Sequence, residues 1–403
     1  MNTENLTITI VGGGSSAHTL IPLLSSSKYI VNLLPSKPDL WSRKVELQYQ
    51  AFNGDVIERF NGELNKISDK PENVINEADI IFLCMPVNQV RKALHRIAPH
   101  LNPDKEVYVG TVYGQAGFNW MADEIKTGFN LENIITFCFG LIPWICRILE
   151  YGKVGITYGV KPINIAAVEP KAHFEALNRN IFEKVCLDWF GQGAFLQADN
   201  FLSLTFSVDN QIIHPSRCYG LFVRYGGEWD KLEDIPFFYK DFDQVSADIL
   251  IKLDADYSKI RSGIRERYPD KKFTYMLDYL ALDRYTNETE EYSVLESFLL
   301  SRTLGAIKAP TIKTKTGKWK IDTDHRFFTD DIHYGLCIAK WAADHLALDV
   351  PTIDEIIHWA QKLRQETLIE GGVLKLNSVD LNQKFKSGIP YFYGYRTIED
   401  IID

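Results

Sequence analysis

The chain has 403 residues, of which 45% are hydrophobic and 24% are charged, and its formal net charge is −9. This composition is typical of a globular protein with about two domains, and it excludes a disordered chain, a collagen and a coiled-coil rod. Because nucleic acids and anionic membranes both require a basic surface, we expect neither as a partner.

The chain also lacks the sequence signals of export. The N-terminal residues Met1 to Asn5 contain no basic residue and lead directly into a strand-like run, so we expect no secretory signal. The longest uncharged apolar stretch, Ile134 to Cys146, is too short to span a bilayer. Six cysteines are spread along the chain without a CxxC pair. This spacing predicts reduced thiols in a cytoplasmic protein, and no metal site.

Strand-like and helix-like segments alternate through the first half of the chain. The predicted strands are Leu6–Val11, Tyr29–Leu34, Asp79–Cys84, Glu106–Val112, Ile134–Phe139 and Ile163–Val168. Helical patterns follow Pro86 and extend from His173 to Cys186. The alternation predicts an α/β Rossmann domain, in which helices cover both faces of a parallel sheet.

Long helical patterns dominate the second half. The capping-box pattern of Thr352 and Glu355 predicts a helix from Ile353 to about Arg364, while the polar stretch Thr311–Lys320 predicts a loop or hairpin. We expect an all-α C-terminal domain, and we place the boundary between residues 191 and 200. The predicted domains are therefore residues 1–195 and residues 196–403.

A glycine-rich segment follows the first predicted strand. It matches the pattern G-x-G-x-x-G/A, with Gly12, Gly14 and Ala17 at the three marked positions. The first glycine allows a tight turn, the second lets a pyrophosphate approach the backbone, and the small third residue lets helix and strand pack closely. The alternative is a glycine turn in a Rossmann-like sheet without a cofactor. The predicted cofactor-binding residues are Gly12, Gly13, Gly14, Ser15, Ser16, Ala17, Ser36, Lys37 and Pro86.

The end of the second predicted strand bears on the choice of cofactor. An acidic residue there would bind the ribose 2′-hydroxyl of NAD(H), but the chain has no acid until Asp39. Ser36, Lys37 and Arg43 could instead receive a 2′-phosphate, which favours NADP(H) over NAD(H). In the alternative interpretation, Lys37 and Arg43 are solvated surface charges.

Four further stretches complete one pattern, which resembles the opine dehydrogenase family, including the octopine and nopaline dehydrogenases. They are Gly110-Thr-Val-Tyr-Gly-Gln115, Ile142-Pro-Trp-Ile-Cys-Arg147, Asn210-Gln-Ile-Ile-His-Pro215, and His325-Arg-Phe-Phe-Thr-Asp-Asp331 followed by Tyr334-Gly-Leu336. The resemblance extends from about Leu6 to Arg364. It departs from the family in lacking an arginine-rich turn after the second strand.

The resemblance implies a Rossmann domain followed by a helical domain, with the active site between them. It also implies a reductive reaction on two small-molecule substrates. A 2-oxo acid and the amino group of an amino acid condense to an imine, and NAD(P)H reduces that imine to an N-(carboxyalkyl) amino acid. The sequence names neither substrate, and it leaves the oligomeric state open, a homodimer included.

By the same resemblance, three residues carry the chemistry. His214 is the general acid/base, Asp331 orients it, and Arg326 binds a substrate carboxylate. Each has a plainer alternative. His214 could be a satisfied core histidine, and Arg326 could pair with Asp330 or Asp331. With Thr329 as an N-cap, both aspartates would lie in the first turn of a helix, and we assign Asp330 to that end charge alone.

Three further residues resemble substrate-binding positions of the family. Asn210 lies four residues before His214, so the two side chains share a helix face. Pro215 is expected to distort that helix. Gln115 and Cys146 correspond to positions near the oxo acid, although a buried cysteine is more often a small hydrophobic side chain.

Other patterns are assigned to structure. We predict core packing for the aromatic run Pro236–Tyr239 and a solvated helix face for the acidic stretch Asp241–Asp256. His325 and His333 lack metal-ligand spacing.

Two other functions are compatible with parts of the pattern. A dehydrogenase of simple 2-hydroxy or β-hydroxy acids would need no amine. A dinucleotide-binding redox sensor without turnover would keep the glycine loop, but it would not need His214, Arg326 and Asp331 together.

Overall fold

The computed structural model describes residues 6–287, 293–299, 307–382 and 387–402. The chain divides into two compact units, one of Met1–Thr205 with Tyr285–Asn287 and the other of Phe206–Arg284 with Glu288–Asp403. The segment Met1 to Asn5, for which no secretory signal was expected above, lies outside the described residues. Among the helices of the described ranges, none combines the length and the apolar character that crossing a membrane requires.

The first unit has a strand-rich α/β organisation. In chain order its elements are β1 (Thr7–Val11), α1 (Ser15–Ser26), β2 (Ile30–Leu34), β3 (Lys44–Gln50), β4 (Val56–Glu63), β5 (Lys66–Ile67), β6 (Ile80–Leu83), α2 (Val87–Ile97), β7 (Val107–Thr111), α3 (Phe118–Phe129), β8 (Ile134–Phe139), β9 (Trp144–Glu150), β10 (Val154–Val160), β11 (Ile163–Glu169), α4 (Phe174–Leu177), α5 (Leu187–Phe190), β12 (Ala194–Gln197) and α6 (Phe201–Thr205).

The main sheet has eight strands in the order β12-β11-β8-β7-β6-β1-β2-β5. The six strands from β8 to β5 are parallel, and their order is that of a doubly wound dinucleotide-binding sheet. All six strands predicted from the sequence are present. The strand β11 runs antiparallel to β8, because it follows β10 through a short connection and not through a helical crossover. Every residue of β6 and β8 is buried, as expected for strands covered on both faces.

A second sheet, of order β4-β3-β10-β9, was not predicted. It packs over α1, so the residues of α1 from Ser16 to Leu24 are all buried. The strand β4 passes so close that a Cβ on Gly62 would lie 2.7 Å from the Cα of Pro22. Because β3 and β4 carry many polar and exposed residues, they lack the continuous apolar run by which buried strands are recognised.

The second unit is built mainly of helices. In chain order its elements are α7 (Asn210–Tyr225), β13 (Glu228–Trp229), α8 (Gln244–Arg267), α9 (Tyr279–Asn287), α10 (Val294–Leu299), β14 (Thr311–Lys313), β15 (Trp319–Ile321), α11 (Arg326–Thr329), α12 (Cys337–His345), α13 (Pro351–Arg364), β16 (Ile369–Glu370) and β17 (Val373–Leu374). The antiparallel pair β14 and β15 confirms the hairpin predicted at 311–320. The helix predicted near 353–364 is α13, which packs against α8.

The capping box predicted for α13 is wrong. Thr352 lies inside the helix, which begins at Pro351 and has no side-chain cap of its own. Asp256 of α8 takes that role, since its carboxylate accepts from the backbone amides of Thr352 at 2.7 Å and Ile353 at 3.2 Å. Asp256 is therefore buried and does not belong to a solvated face. A cap supplied by another helix leaves no local sequence signal.

A buried arginine fixes one loop of the second unit against α7. Arg217 has no exposed surface, and its guanidinium donates to three backbone carbonyl oxygens, those of Phe237, Phe238 and Asp241. It also donates to the Asp243 carboxylate at 2.7 Å and to the hydroxyl of Ser246 at 3.1 Å. The segment 237–243 is thus bound to the helix that carries His214.

We expect Arg217→Met to destabilise the fold strongly. The substitution leaves a buried carboxylate and several buried carbonyls without their donor, which costs about 3–5 kcal/mol in the free energy of unfolding. Equilibrium unfolding in urea measures this. Arg224 is a matched control, because it bonds the same Asp243 carboxylate at 2.8 Å but has a side chain that is 40% exposed. Arg224→Met should cost about 1 kcal/mol or less. Equal losses in the two variants would contradict the assignment.

Candidate active site

The glycine loop connects β1 to α1, at the point where the order of the parallel strands reverses between β1 and β6. Gly12 has a φ of +112°, and a Cβ there would lie 2.3 Å from the carbonyl oxygen of Cys84. Only glycine is compatible with this position. Around Gly14 the space is open, because a Cβ would meet only the Cys84 oxygen, at 3.9 Å. The backbone before the N-terminus of α1 is therefore accessible to a phosphate group.

A histidine that the sequence analysis did not select holds this loop. The backbone amide of Gly152 donates to Nε2 of His18 at 2.8 Å, so Nδ1 carries the proton and donates to the carbonyl oxygen of Gly14 at 2.9 Å. Burial lowers the pKa of His18, which favours this neutral form. The partner lies 134 residues away along the chain. No motif of the sequence could have indicated this pairing.

The other predicted cofactor residues lie close to the glycine loop in sequence or at the ends of neighbouring strands. Ala17 is fully buried in α1, where only a small side chain packs. Ser36 and Lys37 are exposed directly after β2, and Pro86 is the N-cap residue of α2. Arg43, also considered for a 2′-phosphate, is exposed, and its guanidinium donates to the carbonyl oxygen of Asn65.

Gln115 and Cys146, the two predicted substrate residues of the first unit, are both buried. The Gln115 amide oxygen accepts from the Tyr113 hydroxyl at 2.9 Å. Cys146 lies on β9, where its thiol forms hydrogen bonds with Thr19 and Ser16 of α1. Burial raises the pKa of this thiol, so it stays protonated. The cysteine thus packs against the helix that leaves the glycine loop.

In the second unit the structure brings together His214 and Asp331, which are 117 residues apart in the chain. Nδ1 of His214 lies 2.8 Å from Oδ2 of Asp331, and both residues are buried. The ring of Phe327 stacks on the imidazole with a centroid separation of 3.6 Å and an interplanar angle of 22°. This hydrogen bond and this ring contact both restrain the position and orientation of the imidazole.

The charge state of this pair follows from burial. Burial lowers the pKa of His214, and the positive charge of Arg326 lowers it further, so the resting imidazole is neutral. Burial raises the pKa of Asp331, and Arg326 opposes that rise. When Nδ1–H donates its hydrogen bond to the carboxylate, the lone pair of Nε2 can accept a hydrogen bond from a second donor.

That donor is Tyr239, whose role the sequence analysis missed. Its hydroxyl lies 3.0 Å from Nε2 of His214. The aromatic run that contains Tyr239 was assigned to core packing, and Phe238 does pack in the core with no exposed surface. Tyr239, the next residue, also contacts His214 through its hydroxyl. The two residues are 25 positions apart and belong to no common motif, so the sequence did not indicate this contact.

Arg326 is exposed, with its guanidinium 5.4 Å from the ring centroid of Phe327. Within the described ranges it forms no ion pair, so the alternative pairing with Asp330 or Asp331 is not observed. A planar cation therefore lies over the phenyl ring that stacks on His214.

The helix start predicted at Thr329 is wrong. Thr329 ends the short helix α11, and the N-cap of that helix is His325, whose ring accepts from the amide of Phe327. A π-helical turn follows α11 directly, over Ile332–Leu336, with Asp331 as its N-cap residue. Asp330 is buried and accepts from the Thr329 hydroxyl at 3.3 Å.

Asn210 is the first residue of α7, one helical turn before His214, and it is partly buried. The helix continues through Pro215 to Tyr225. In the ranges that the structure describes, no three His, Cys, Asp or Glu side chains are grouped so that they could hold a metal ion.

Comparison with known proteins finds opine dehydrogenases among the relatives of this chain. The family model for the α-helical domain of NAD/NADP octopine/nopaline dehydrogenases matches residues 197–364. Tauropine dehydrogenase of Arabella iricolor is 25% identical, with 98% of this chain and 99% of that protein aligned. Octopine dehydrogenase of Pecten maximus is 24% identical, with 98% of each chain aligned.

A solved structure of octopine dehydrogenase in complex with NADH and agmatine shares the fold. Its TM-score is 0.80 at 21% identity, and the match covers 99% of this chain and 98% of that one. The resemblance noted in the sequence is thus supported by a family model over residues 197–364 and by relatives aligned along nearly the whole chain: this protein is similar to the opine dehydrogenases.

Proposed function

We propose that the protein is an NAD(P)H-dependent opine dehydrogenase, which condenses a 2-oxo acid with the amino group of an amino acid and reduces the resulting imine. The observation that carries this proposal is the buried pair of His214 and Asp331 beside the exposed Arg326. A proton donor next to an unpaired cation suits a substrate that has both a carboxylate and an oxygen that must leave as water.

The residues of the first unit fit a dinucleotide. The open space at Gly14, before the N-terminus of α1, is a cradle that any Cβ would narrow, and it suits a pyrophosphate. The dinucleotide supplies the hydride that reduces the imine carbon. Ser36 and Lys37, exposed after β2 where no acid is present, support a preference for NADP(H). Pro86 contributes from the neighbouring β6 end of the sheet.

His214 handles the proton. In the reductive direction its imidazolium protonates the departing hydroxyl of the carbinolamine, which leaves as water. In the oxidative direction the neutral imidazole takes the proton of the opine nitrogen. Asp331 holds the ring in one orientation and stabilises the imidazolium, which burial alone would make unfavourable.

The remaining predicted residues bind substrate in this proposal. The guanidinium of Arg326 can form two parallel hydrogen bonds with a carboxylate, and no ion pair within the described ranges competes for it. The Asn210 amide, one turn before His214, offers a donor and an acceptor to the amino acid. Gln115 and Cys146 contact the oxo acid.

The proposed function predicts that dinucleotide oxidation requires both substrates. Absorbance assays with NADPH or NADH should combine pyruvate, oxaloacetate or 2-oxoglutarate with a panel of amino acids, each partner also being tested alone. We expect turnover only when an oxo acid and an amine are both present, and a loss of most of the rate in His214→Ala. Turnover with the oxo acid alone would identify a hydroxy-acid dehydrogenase. Tight dinucleotide binding without any turnover would identify a sensor.

Gly14→Ala should weaken dinucleotide binding without unfolding the chain. The new methyl group meets no protein atom closer than 3.9 Å, and the backbone of Gly14 has a φ of −81°, which alanine adopts freely. It occupies the space proposed for the pyrophosphate, and such crowding costs about 1–3 kcal/mol, or a roughly tenfold to hundredfold higher Kd. Fluorescence titration with NADPH measures this.

The matched control for that titration is Gly128→Ala. Gly128 lies in α3, and a Cβ there meets nothing within 4 Å. This variant should bind the dinucleotide as the unmodified chain does. If Gly14→Ala also keeps the original Kd, the pyrophosphate does not lie at Gly14.

The two directions of the reaction should depend oppositely on pH. Because burial lowers the pKa of His214, its ordinary value of 6.5 is an upper limit for the transition. Opine oxidation needs the neutral imidazole, so its rate should fall as the pH falls through this lowered pKa. Imine formation needs the imidazolium to protonate the departing hydroxyl, so the rate of the reductive direction should fall as the pH rises through the same pKa. Initial rates from pH 5 to 9 test both, and a transition above about pH 7 would contradict the burial argument.

A further inference from the structure

The nitrogen of His214 that must exchange a proton is covered by another side chain. Asp331 bonds Nδ1, and the Tyr239 hydroxyl lies 3.0 Å from Nε2. Phe327 stacks on one ring face, and Phe238 packs edge-on with a centroid separation of 5.7 Å. His214 has no exposed surface, whereas Tyr239 keeps 8% of its own. Of the two side chains bonded to His214, Tyr239 keeps slightly more exposed surface than Asp331, 8% against 5%.

We propose that the Tyr239 hydroxyl is a proton relay, which contacts the substrate and passes its proton to and from Nε2 of His214. This inference rests on the proposed function and adds a catalytic residue to it. The alternative is that Tyr239 is a plug, which must swing away before the substrate can reach His214 directly. A relay requires that the segment carrying Tyr239 is fixed, whereas a plug requires that it moves.

The surroundings of Tyr239 favour a fixed group over a mobile plug. Arg217 donates to the carbonyl oxygens of Phe237, Phe238 and Asp241, on both sides of Tyr239. The backbone amide of Phe237 donates to the Asp241 carboxylate at 2.8 Å, which closes the turn around the tyrosine. A swing of this segment would break buried hydrogen bonds of a guanidinium that has no exposed surface.

The relay conserves protons and electrons in both directions of the reaction. During opine oxidation, the substrate N–H gives its proton to the Tyr239 oxygen while the phenol proton moves to Nε2. The substrate C–H gives its hydride to NAD(P)⁺, so one C–H and one N–H bond break and the C=N bond forms. The imidazolium that results lies beside the Asp331 carboxylate. Reduction is the reverse. Tyr239 begins and ends neutral, so the relay does not require an ionised phenol.

The central experiment compares Tyr239→Phe with the unmodified enzyme in the assay that detects turnover. The phenylalanine keeps the ring and removes only the hydroxyl. We expect kcat to fall roughly tenfold to a hundredfold, as for other losses of a positioned proton-transfer group. The KM for the oxo acid, the Kd for NADPH and the Tm should stay close to the original values. In mixtures of H2O and D2O, the rate of the unmodified enzyme should show the curvature of two protons in flight, and that of the variant should lose it.

Tyr219→Phe is the matched control. Tyr219 lies on the same helix as His214, and its hydroxyl donates to Glu355 at 2.6 Å. Removal of this hydroxyl should leave kcat and the isotope curve unchanged. If both variants lose activity together with Tm, the role of Tyr239 is structural and the relay is overturned.

A second readout does not depend on turnover. The ¹⁵N resonance of Nε2 in His214 should move downfield in Tyr239→Phe, because this nitrogen loses its hydrogen-bond donor. An unchanged resonance would overturn the hydrogen bond and with it the relay. An unchanged or higher kcat/KM in Tyr239→Phe, with the resonance shifted, would identify a plug. Absence of turnover in the unmodified chain would overturn the proposed function and the proton transfer together, while the resonance would still report whether the bond exists.

Discussion

The arrangement around His214 depends on one electrostatic constraint, which is that water cannot solvate the charge of a fully buried imidazole. Burial makes the imidazolium of His214 unfavourable, and the nearest compensation is the carboxylate of Asp331 at 2.8 Å. A site of this kind holds a proton briefly and releases it readily. The exposed Arg326 strengthens the effect, since its positive charge lowers the pKa of the histidine further.

The scaffold meets this constraint by fixing every neighbour of the ring. Helix α7 supplies His214 and Arg217, which are three residues apart, so one helix carries both the proton-handling group and the cation that holds the opposing loop. Asp331 and Phe327 come from the helical turns of a second segment. The cost of burying a guanidinium is offset by its carboxylate, carbonyl and hydroxyl partners, and the result is a loop held in one arrangement.

Much of this architecture could be predicted from the residues. The strands of the parallel sheet were predicted from apolar runs such as Ile80–Leu83, because strands buried on both faces are mostly apolar. The pairing of His214 with Asp331 was implied by the family resemblance, and the structure places the two side chains in contact. The apolar run and the motif around each of these two residues are each contained in a single stretch of the chain.

The features that were missed depend on contacts between distant segments. Asp256 caps α13 from another helix, His18 bonds Gly152, and Tyr239 meets His214 across a loop. In each case the side chain has an ordinary local explanation, such as a solvated acid or a core aromatic. The second sheet was missed for a related reason, since β3 and β4 are half exposed and their polar residues conceal the alternation.

The bond between His18 and Gly152 has a consequence for how the first unit responds to ligands. One imidazole joins the carbonyl of the glycine loop to the amide that follows β9, so order gained at one end is transmitted to the other. A ligand that binds only the folded loop stabilises whatever the loop is bonded to, by mass action. Amide hydrogen exchange should therefore slow in the turn between β9 and β10 when a dinucleotide binds. The small sheet then behaves as part of the same cooperative unit as the large one.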